Sequence, residues 1–366
     1  MSNNENTKKR SEPFIHITKR TNVSFKFALL ARTVAVFAAF FVMFLLMLIL
    51  SSENPFVLIS AMFKGAFGTA LDTWILFSDT AILLGIALAL TPAFKMKFWN
   101  CGGEGQVMVG SLITASMMLF VGDKMPLPLL LIITIVLSIL IGGLWGFIPA
   151  IFKAKWNINE TLFTLMMNYI AIQCVEYFLK LFGNAQGNLE PMPQFAIPKI
   201  FGYSYFLNIL LILVICAIMY VYLKYSKQGY EISVVGESEN TAKYVGINVP
   251  KVIIRTMLIS GALCGLIGFL LSANGSCSVT TTIAGGRGFT AILVSWLGKF
   301  NPLYMVLASF LVTFLQIGTS KMGDIYRLDT SIADIFIGVV LLFIIGCEFF
   351  INYKINFRKS NKEGNN

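Results

Sequence analysis

Histidine is all but missing from this 366-residue chain: His16, in a polar N-terminal stretch, is the only one. Imidazole proton relays and histidine metal clusters are thereby excluded from the body of the protein. The cysteines (Cys101, Cys174, Cys216, Cys264, Cys277 and Cys347) form no CxxC pair, which removes a zinc site and a disulfide framework. No GxxxxGK(S/T) run occurs, so the chain has no phosphate-cradling loop of that kind. Catalysis by a Ser/His/Asp set has no histidine to use. Charge is scarce as well: 13% of residues are charged, against roughly 25% in soluble domains. The first residues lack the apolar core and small-residue cleavage site of a secretory signal, so the first apolar run is expected to remain as a span.

What fills the chain instead is apolar: 57% of residues are hydrophobic and the mean hydropathy is +0.77. The expected fold is an all-α polytopic membrane protein, because helices satisfy their own backbone in lipid. Apolar segments fall at about residues 33–50, 74–93, 99–123, 127–151, 160–181, 204–223, 252–273, 279–298, 303–319 and 332–351. The eighth is interrupted by glycine. Residues 54–71 mix Pro55, Lys64, Gly65 and Gly68 with aromatics and suit an interfacial segment. Residues 1–28 are expected as a basic, flexible tail and residues 352–366 as a basic tail, flanking a 29–351 membrane domain.

The net charge of +10 lies in short clusters between apolar runs, not in a nucleic-acid-binding stripe. With both termini on the cytoplasmic side, about 21 of the 28 basic residues fall inside. The excess favours that orientation and ten spans. It places the longest interior polar segment, Tyr225–Lys251, in the cytoplasm. Within it Ser238 reads as an N-cap and Gly246 as a left-handed C-cap of a short helix, and Pro250 stops it soon after. A helix of two turns is unstable alone, so it must dock.

Polar residues inside apolar runs are the candidate pathway. Trp99–Gln106 (WNCGGEGQ) brings Asn100, Glu104 and Gln106 beside a glycine run. It reads either as a broken helix lining a cavity or as a cytoplasmic turn with a capping glutamate. Glu160, Thr164 and Asn168, at i, i+4 and i+8, share one helix side that faces either a wet pathway or neighbouring helices. Asp79, Gln316 and Asp334 read as packing or capping residues. Gly142, Gly143 and Gly146, and Gly261, Gly265 and Gly268, are small residues that permit close helix approach. Cys101–Gly105 (CGGEG) and Ala284–Gly288 (AGGRG) echo one another. The span count puts them on opposite sides, as inverted repeats would.

Several of these stretches resemble one family. WNCGGEGQVMVGSL (99–112) is similar to the F-N-I-G-x-E-G-Q stretch of permease subunits of bacterial ABC importers, in the branch serving simple sugars, branched-chain amino acids and nucleosides. NETLFTLMMNYIA (159–171) resembles a stretch of the nucleoside members, those working with BMP-type binding proteins. GESENTAKYVGINV (236–249) resembles their cytoplasmic coupling loop, and GGRGFTAILVSWLGKFNP (285–302) a further shared stretch that includes Phe289. Cys101, Gly103, Ser238, Thr241 and Ser295-Trp296 depart from the usual residues. The resemblance implies coupling to an ATPase through Gly236, Glu237, Asn240, Ala242, Lys243, Tyr244, Gly246 and Ile247. It also implies a second permease subunit, a cytoplasmic ATPase dimer that holds ATP and Mg, and an extracytoplasmic binding lipoprotein. No cofactor is expected on this chain. Nucleoside is the best-matching substrate and simple sugar the next. The competing reading is an ion-coupled carrier using Glu104, Glu160 or Asp334 as its coupling carboxylate.

Overall fold

The structure, a computed structural model, describes residues 15–20, 24–50, 53–184, 187–200, 205–274, 277–327 and 330–357. Parts of the expected tails, residues 1–14, 21–23 and 358–366, lie outside the described residues. In chain order the elements are β1 (Ile15–Lys19), α1 (Phe25–Leu50), α2 (Pro55–Phe67), α3 (Ala70–Lys95), α4 (Gly103–Val121), α5 (Leu127–Trp156) and α6 (Glu160–Phe182). They continue with α7 (Phe206–Tyr225), α8 (Lys227–Glu237), α9 (Glu239–Tyr244), α10 (Val249–Ala273), α11 (Arg287–Leu297), α12 (Pro302–Tyr326), α13 (Thr330–Asn352) and β2 (Tyr353–Phe357). Among the described residues nine helices are long and apolar enough to cross a membrane. The fold is all-α and polytopic, with a single two-stranded ladder.

The chain divides into two units. The first, residues 1–60 with 323–366, pairs the two ends of the chain. β1 runs antiparallel to β2, with Ile15 opposite Phe357 and Lys19 opposite Tyr353. Part of the N-terminal stretch expected as flexible is thus paired: residues 15–19 and 353–357 supply each other's backbone partners. Arg32 of α1 donates through Nε and Nη2 to Glu348 Oε1 of α13, at 2.8 and 2.6 Å. Ala35, Cys347 and Ile351 pack beside that pair. An antiparallel ladder here puts both ends of the chain on one side of the bilayer, which requires an even number of crossings.

The second unit, residues 61–322, is a bundle centred on α10. α10 packs on α4 and α5 through residues without side chains: Gly110 of α4 and Gly142 of α5 meet the backbone of Gly265, and Gly146 meets Gly261. A Cβ on Gly265 would enter the backbone of Ser138 and Gly142. Hydroxyls tie the same seam, with Ser111 Oγ donating to Gly268 O at 3.0 Å and Ser138 Oγ to Gly110 O at 3.3 Å. Close approach and short polar bonds are what hold helices together where lipid offers no hydrophobic drive. α3, α5 and α7 end together at what we call the basal end, where α10 begins, and α10 runs away from it. There Ala93, Met96, Phe98, Ala150, Ile232, Val235, Ala242 and Val249 form one buried cluster.

α10 finishes at the distal end, yet α12 starts near the basal end, its Met305 beside Thr91 of α3. Residues 277–297 therefore run back towards the basal end. This is the glycine-interrupted eighth segment, and only its basal part is helical. α11 has 11 residues, about 16 Å of helix against a hydrocarbon core of about 30 Å. Gly285 and Gly286 adopt φ +58° and +72°, which ends any helix before Arg287. The nine long helices and this broken segment make the even total that the paired termini require.

Introducing Leu at Gly265 should force α4, α5 and α10 apart. We expect Gly265→Leu to cost about 3 kcal/mol or more and to lower the unfolding temperature in detergent. A Cβ on Gly143 meets its nearest atoms at 3.4 and 3.5 Å, so Gly143→Ala should leave that temperature within about 1–2 °C.

Candidate functional site

After α3 ends at Lys95 the chain does not start its next helix at the basal end. Residues 96–102 turn back into the bundle, and Asn100 reaches the middle of α10. Its Nδ2 donates to Ser260 Oγ at 3.1 Å, while its Oδ1 accepts from Gly102 N at 3.0 Å and Gln106 Nε2 at 3.4 Å. Asn100 and Gln106 are both buried. α6 holds the other side of this loop. Asn168 Nδ2 donates to Cys101 O at 2.9 Å, its Oδ1 accepts from Gly105 N at 2.8 Å, and Thr164 Oγ1 accepts from Cys101 N at 3.2 Å. Buried backbone in such a loop needs partners of this kind.

The side formed by Glu160, Thr164 and Asn168 is thus turned to the loop and to α5. Thr164 and Asn168 bond the loop, and Glu160 pairs with Lys153 Nζ of α5 at 2.9 Å. Asn100 in the loop and Gln106 in α4 are buried between these helices.

Glu104 stands in the first turn of α4 and is 8% exposed. Its Oε1 accepts from Gly286 N at 2.8 Å and its Oε2 from Gly288 N at 2.7 Å. Gly286 is the residue before α11 and Gly288 its second residue. One carboxylate therefore sits at the N-termini of two helices that leave in opposite directions, α4 towards the distal end and α11 towards the basal end. Both helix dipoles present positive ends there, and both favour an anion. The CGGEG and AGGRG echoes, expected on opposite sides, meet at this point. The cytoplasmic-turn reading of Glu104 is corrected: the residue lies inside the bundle and caps the facing helix. Arg287, one step into α11, pairs with Asp79 Oδ2 of α3 at 3.2 Å. Ser295 Oγ donates to Ala87 O at 3.0 Å and ties the far end of α11 to α3. Phe289 is half-exposed on the other side of α11, Gln316 is half-buried on α12, and Asp334 is exposed on α13.

The second candidate surface is at the basal end. The polar segment folds as two helices, where one short helix was expected. Ser226 caps α8, its Oγ accepting from Gly229 N at 2.9 Å. Ser238 ends α8 and caps α9, its Oγ accepting from Thr241 N at 3.2 Å. Gly246 closes α9 at φ +81°. Gly236 lies directly on the backbone of Lys95, leaving no room for a side chain. Ala242 is fully buried and Ile247 packs on the basal cluster, so they fasten α9 to the bundle. Glu237, Asn240, Lys243 and Tyr244 point away, and Tyr244 is 91% exposed. Arg255 of α10 donates to Glu231 of α8 at 2.9 Å, and Lys95 Nζ donates to Leu223 O at the end of α7, at 3.3 Å. α10 is thereby bonded to the platform, and the end of α3 to the end of α7, which leads into it.

Several partners were given no role in the sequence: Ser260, Arg287, Lys95 and Trp99. The glycine row of α10 pointed at Ser260, one residue before Gly261. Arg287 could have been noticed as a lone arginine inside an apolar segment.

A bundle of membrane helices with two broken segments meeting at a shared carboxylate, and a polar platform on one end, is the architecture of a membrane transport subunit. Residues 72–345 match the model of the family described as branched-chain amino acid transport system / permease component, and the chain belongs to that family. It is 33% identical over 273 residues to the guanosine ABC transporter permease protein NupP of Bacillus subtilis, covering 72% of this chain and 77% of that one. It is 28% identical over 292 residues to the glucose ABC transporter permease protein TsgB13 of Haloferax volcanii, covering 75% of each. Against the nucleoside ABC transporter permease protein NupB of Lactococcus lactis the identity is 26% over 286 residues, covering 74% and 78%. No solved structure matches.

Removing the shared carboxylate should be costly. Glu104→Ala leaves the N–H groups of Gly286 and Gly288 without their acceptor, and we expect a loss of about 2–4 kcal/mol, read as thermal stability in detergent. Glu104→Gln keeps an acceptor and should lose less. Equal stability of Glu104→Ala and the wild type would show that the cap does not hold α11.

Proposed function

We propose that this chain is the membrane subunit of an ATP-driven importer carrying nucleosides across the bacterial cytoplasmic membrane, with simple sugar as the second substrate class. The single observation that carries the reading is the α8–α9 platform. It is fastened by Gly236, Ala242 and Ile247 to the ends of α3, α5 and α10, while Tyr244 and the charged residues beside it have no partner among the described residues of this chain. A short helix presented this way suits docking in a groove of a partner. The chain has no nucleotide-binding loop, so that partner is the ATPase dimer, which holds ATP and Mg.

The basic residues put the platform and both termini in the cytoplasm. A second permease subunit, identical or homologous, completes the path, and a lipoprotein outside the membrane delivers the solute. Closure of the ATPase dimer pushes on Glu237, Asn240, Lys243 and Tyr244. The bonds from Lys95 and Arg255 pass the displacement to α3, α7 and α10. The bundle has two arrangements, and the ATPase contact biases them. Guanosine and nucleoside permeases among the relatives support the substrate class. Glu104 and Glu160, two of the carboxylates an ion-coupled carrier would use, are engaged in fixed bonds, which speaks against that mechanism.

The test is uptake into vesicles holding the complete complex, with ATP supplied and proton and sodium gradients collapsed. Nucleoside uptake should persist, and uptake that needs a gradient would refute the proposal. Proline cannot adopt the φ of Gly246, and it also lacks the N–H that Gly246 gives to Lys243 O at 3.1 Å. Gly246→Pro should therefore lower uptake about ten-fold or more, since roughly 1.4 kcal/mol of lost coupling suffices. Wild-type uptake by that variant would remove α9 from the coupling path.

A further inference from the structure

One face of α11 stays partly exposed among the described residues. Ala291, Val294 and Ser295 are buried, whereas Phe289, Leu293 and Trp296, at i, i+4 and i+7, line the opposite side. Phe289 is 46% exposed and Trp296 48%. Trp296 stacks on Trp99 of the inward-turning loop, with ring centroids 5.6 Å apart and planes 28° from parallel, and Trp99 is itself 45% exposed. These rings are held by other rings. Buried Phe94 meets Trp99 edge-on at 5.9 Å, and Phe300 meets Trp296 at 5.6 Å. The orientation is set before anything binds, which lowers the ordering cost of a contact.

What this face looks onto is limited by its surroundings. α11 begins inside the bundle, level with Glu104, and residues 277–286 before it are not helical. Thr282, Gly285 and Gly286 are open to the outside of the chain. The Arg287–Asp79 pair keeps 26% and 31% of its side-chain surface exposed. Irregular backbone and a half-open ion pair are tolerated at membrane depth only against protein or a water-filled cavity, never against acyl chains. The exposed rings continue from that opening along the same helix. Phe289 and Trp296 are two turns apart, about 10 Å along the axis. A purely lipid-facing side would not lead out of polar, non-helical chain.

We infer that Phe289, Trp296 and Trp99 form a stacking wall of the translocation path and take the planar base of a nucleoside. The inference rests on the nucleoside reading given above. Flat rings offer one face to any base, and stacking of this kind tolerates different bases, so the wall favours base-bearing solutes over bare sugars without fixing which base. The base passes from Phe289 to the Trp296–Trp99 pair as the solute moves from the polar opening towards the basal end.

The experiment uses the complete complex, with its ATPase and binding protein, in vesicles. Maximal nucleoside uptake should fall about ten-fold in Trp296→Leu and return to within about two-fold of wild type in Trp296→Phe, the size expected for one base–aromatic stack. In parallel, Phe289→Cys is treated with a membrane-impermeant maleimide, with the native cysteines of the wild type as baseline. Labelling above that baseline, slowed by saturating guanosine, supports the wall. Absence of labelling means that lipid or the second subunit covers the face, and overturns it. Labelling that guanosine does not slow, or wild-type uptake by Trp296→Leu, also overturns it. If Trp296→Leu fails to assemble, the Phe289→Cys result decides alone. A wild-type complex that transports no nucleoside refutes the substrate reading itself, a different outcome from a transporting complex whose wall is unlabelled.

Discussion

A helix that starts inside a membrane bundle leaves its first N–H groups with no water and no preceding turn to accept them. In this protein that constraint falls on α11, and Glu104 meets it from across the bundle. The requirement propagates outward. For Glu104 to reach Gly286 and Gly288, α4 must also begin within the bundle, so residues 96–102 have to turn inward. That loop in turn needs acceptors and donors, which Asn100, Thr164 and Asn168 supply. Gly288 lies against the backbone of Glu104, where a side chain would not fit. One carboxylate, accepting two backbone hydrogen bonds, thus accounts for polar residues of three different apolar segments.

Both broken segments are bonded to their neighbours. The 96–102 loop is held from α6 and α10, with Asn100 buried and Lys97 exposed. The 277–286 stretch is held at its end by Glu104 and through Arg287 by Asp79, and near its start by Leu189, whose N–H donates to Val279 O and whose O accepts from Ser278 Oγ. Gly236 of the basal platform lies on the backbone of Lys95 in α3, and α3 also carries Asp79 and accepts from Ser295, so a movement of α3 reaches both ends of α11.

What could be read from the sequence was local or periodic. Hydropathy set the class, Ser238 and Gly246 marked the ends of α9, and the glycine rows of α5 and α10 announced close packing. The rest depended on partners far apart in the chain. Nothing near Asn168 says that its amide serves Cys101 and Gly105. The 279–298 run is apolar enough to suggest a full span, and only the positive φ of two adjacent glycines stops the helix. The two glycine motifs were separated because crossings were counted as complete, whereas both segments begin within the bundle. The ladder between Ile15–Lys19 and Tyr353–Phe357 was invisible because each strand alone is short and polar on both flanks.

That ladder sets an order of events during synthesis. Arg32 and Glu348 are 316 positions apart, and at ribosomal speed that interval lasts on the order of 15–60 s. Throughout it, α1 is in place without α13, and β1 has no strand to pair with. Residues 61–322 are made before α13, so the unit that pairs α1 with α13 closes only after them. During that interval α1 lacks its bond to Glu348, and the membrane-insertion machinery or surrounding lipid must hold it in place.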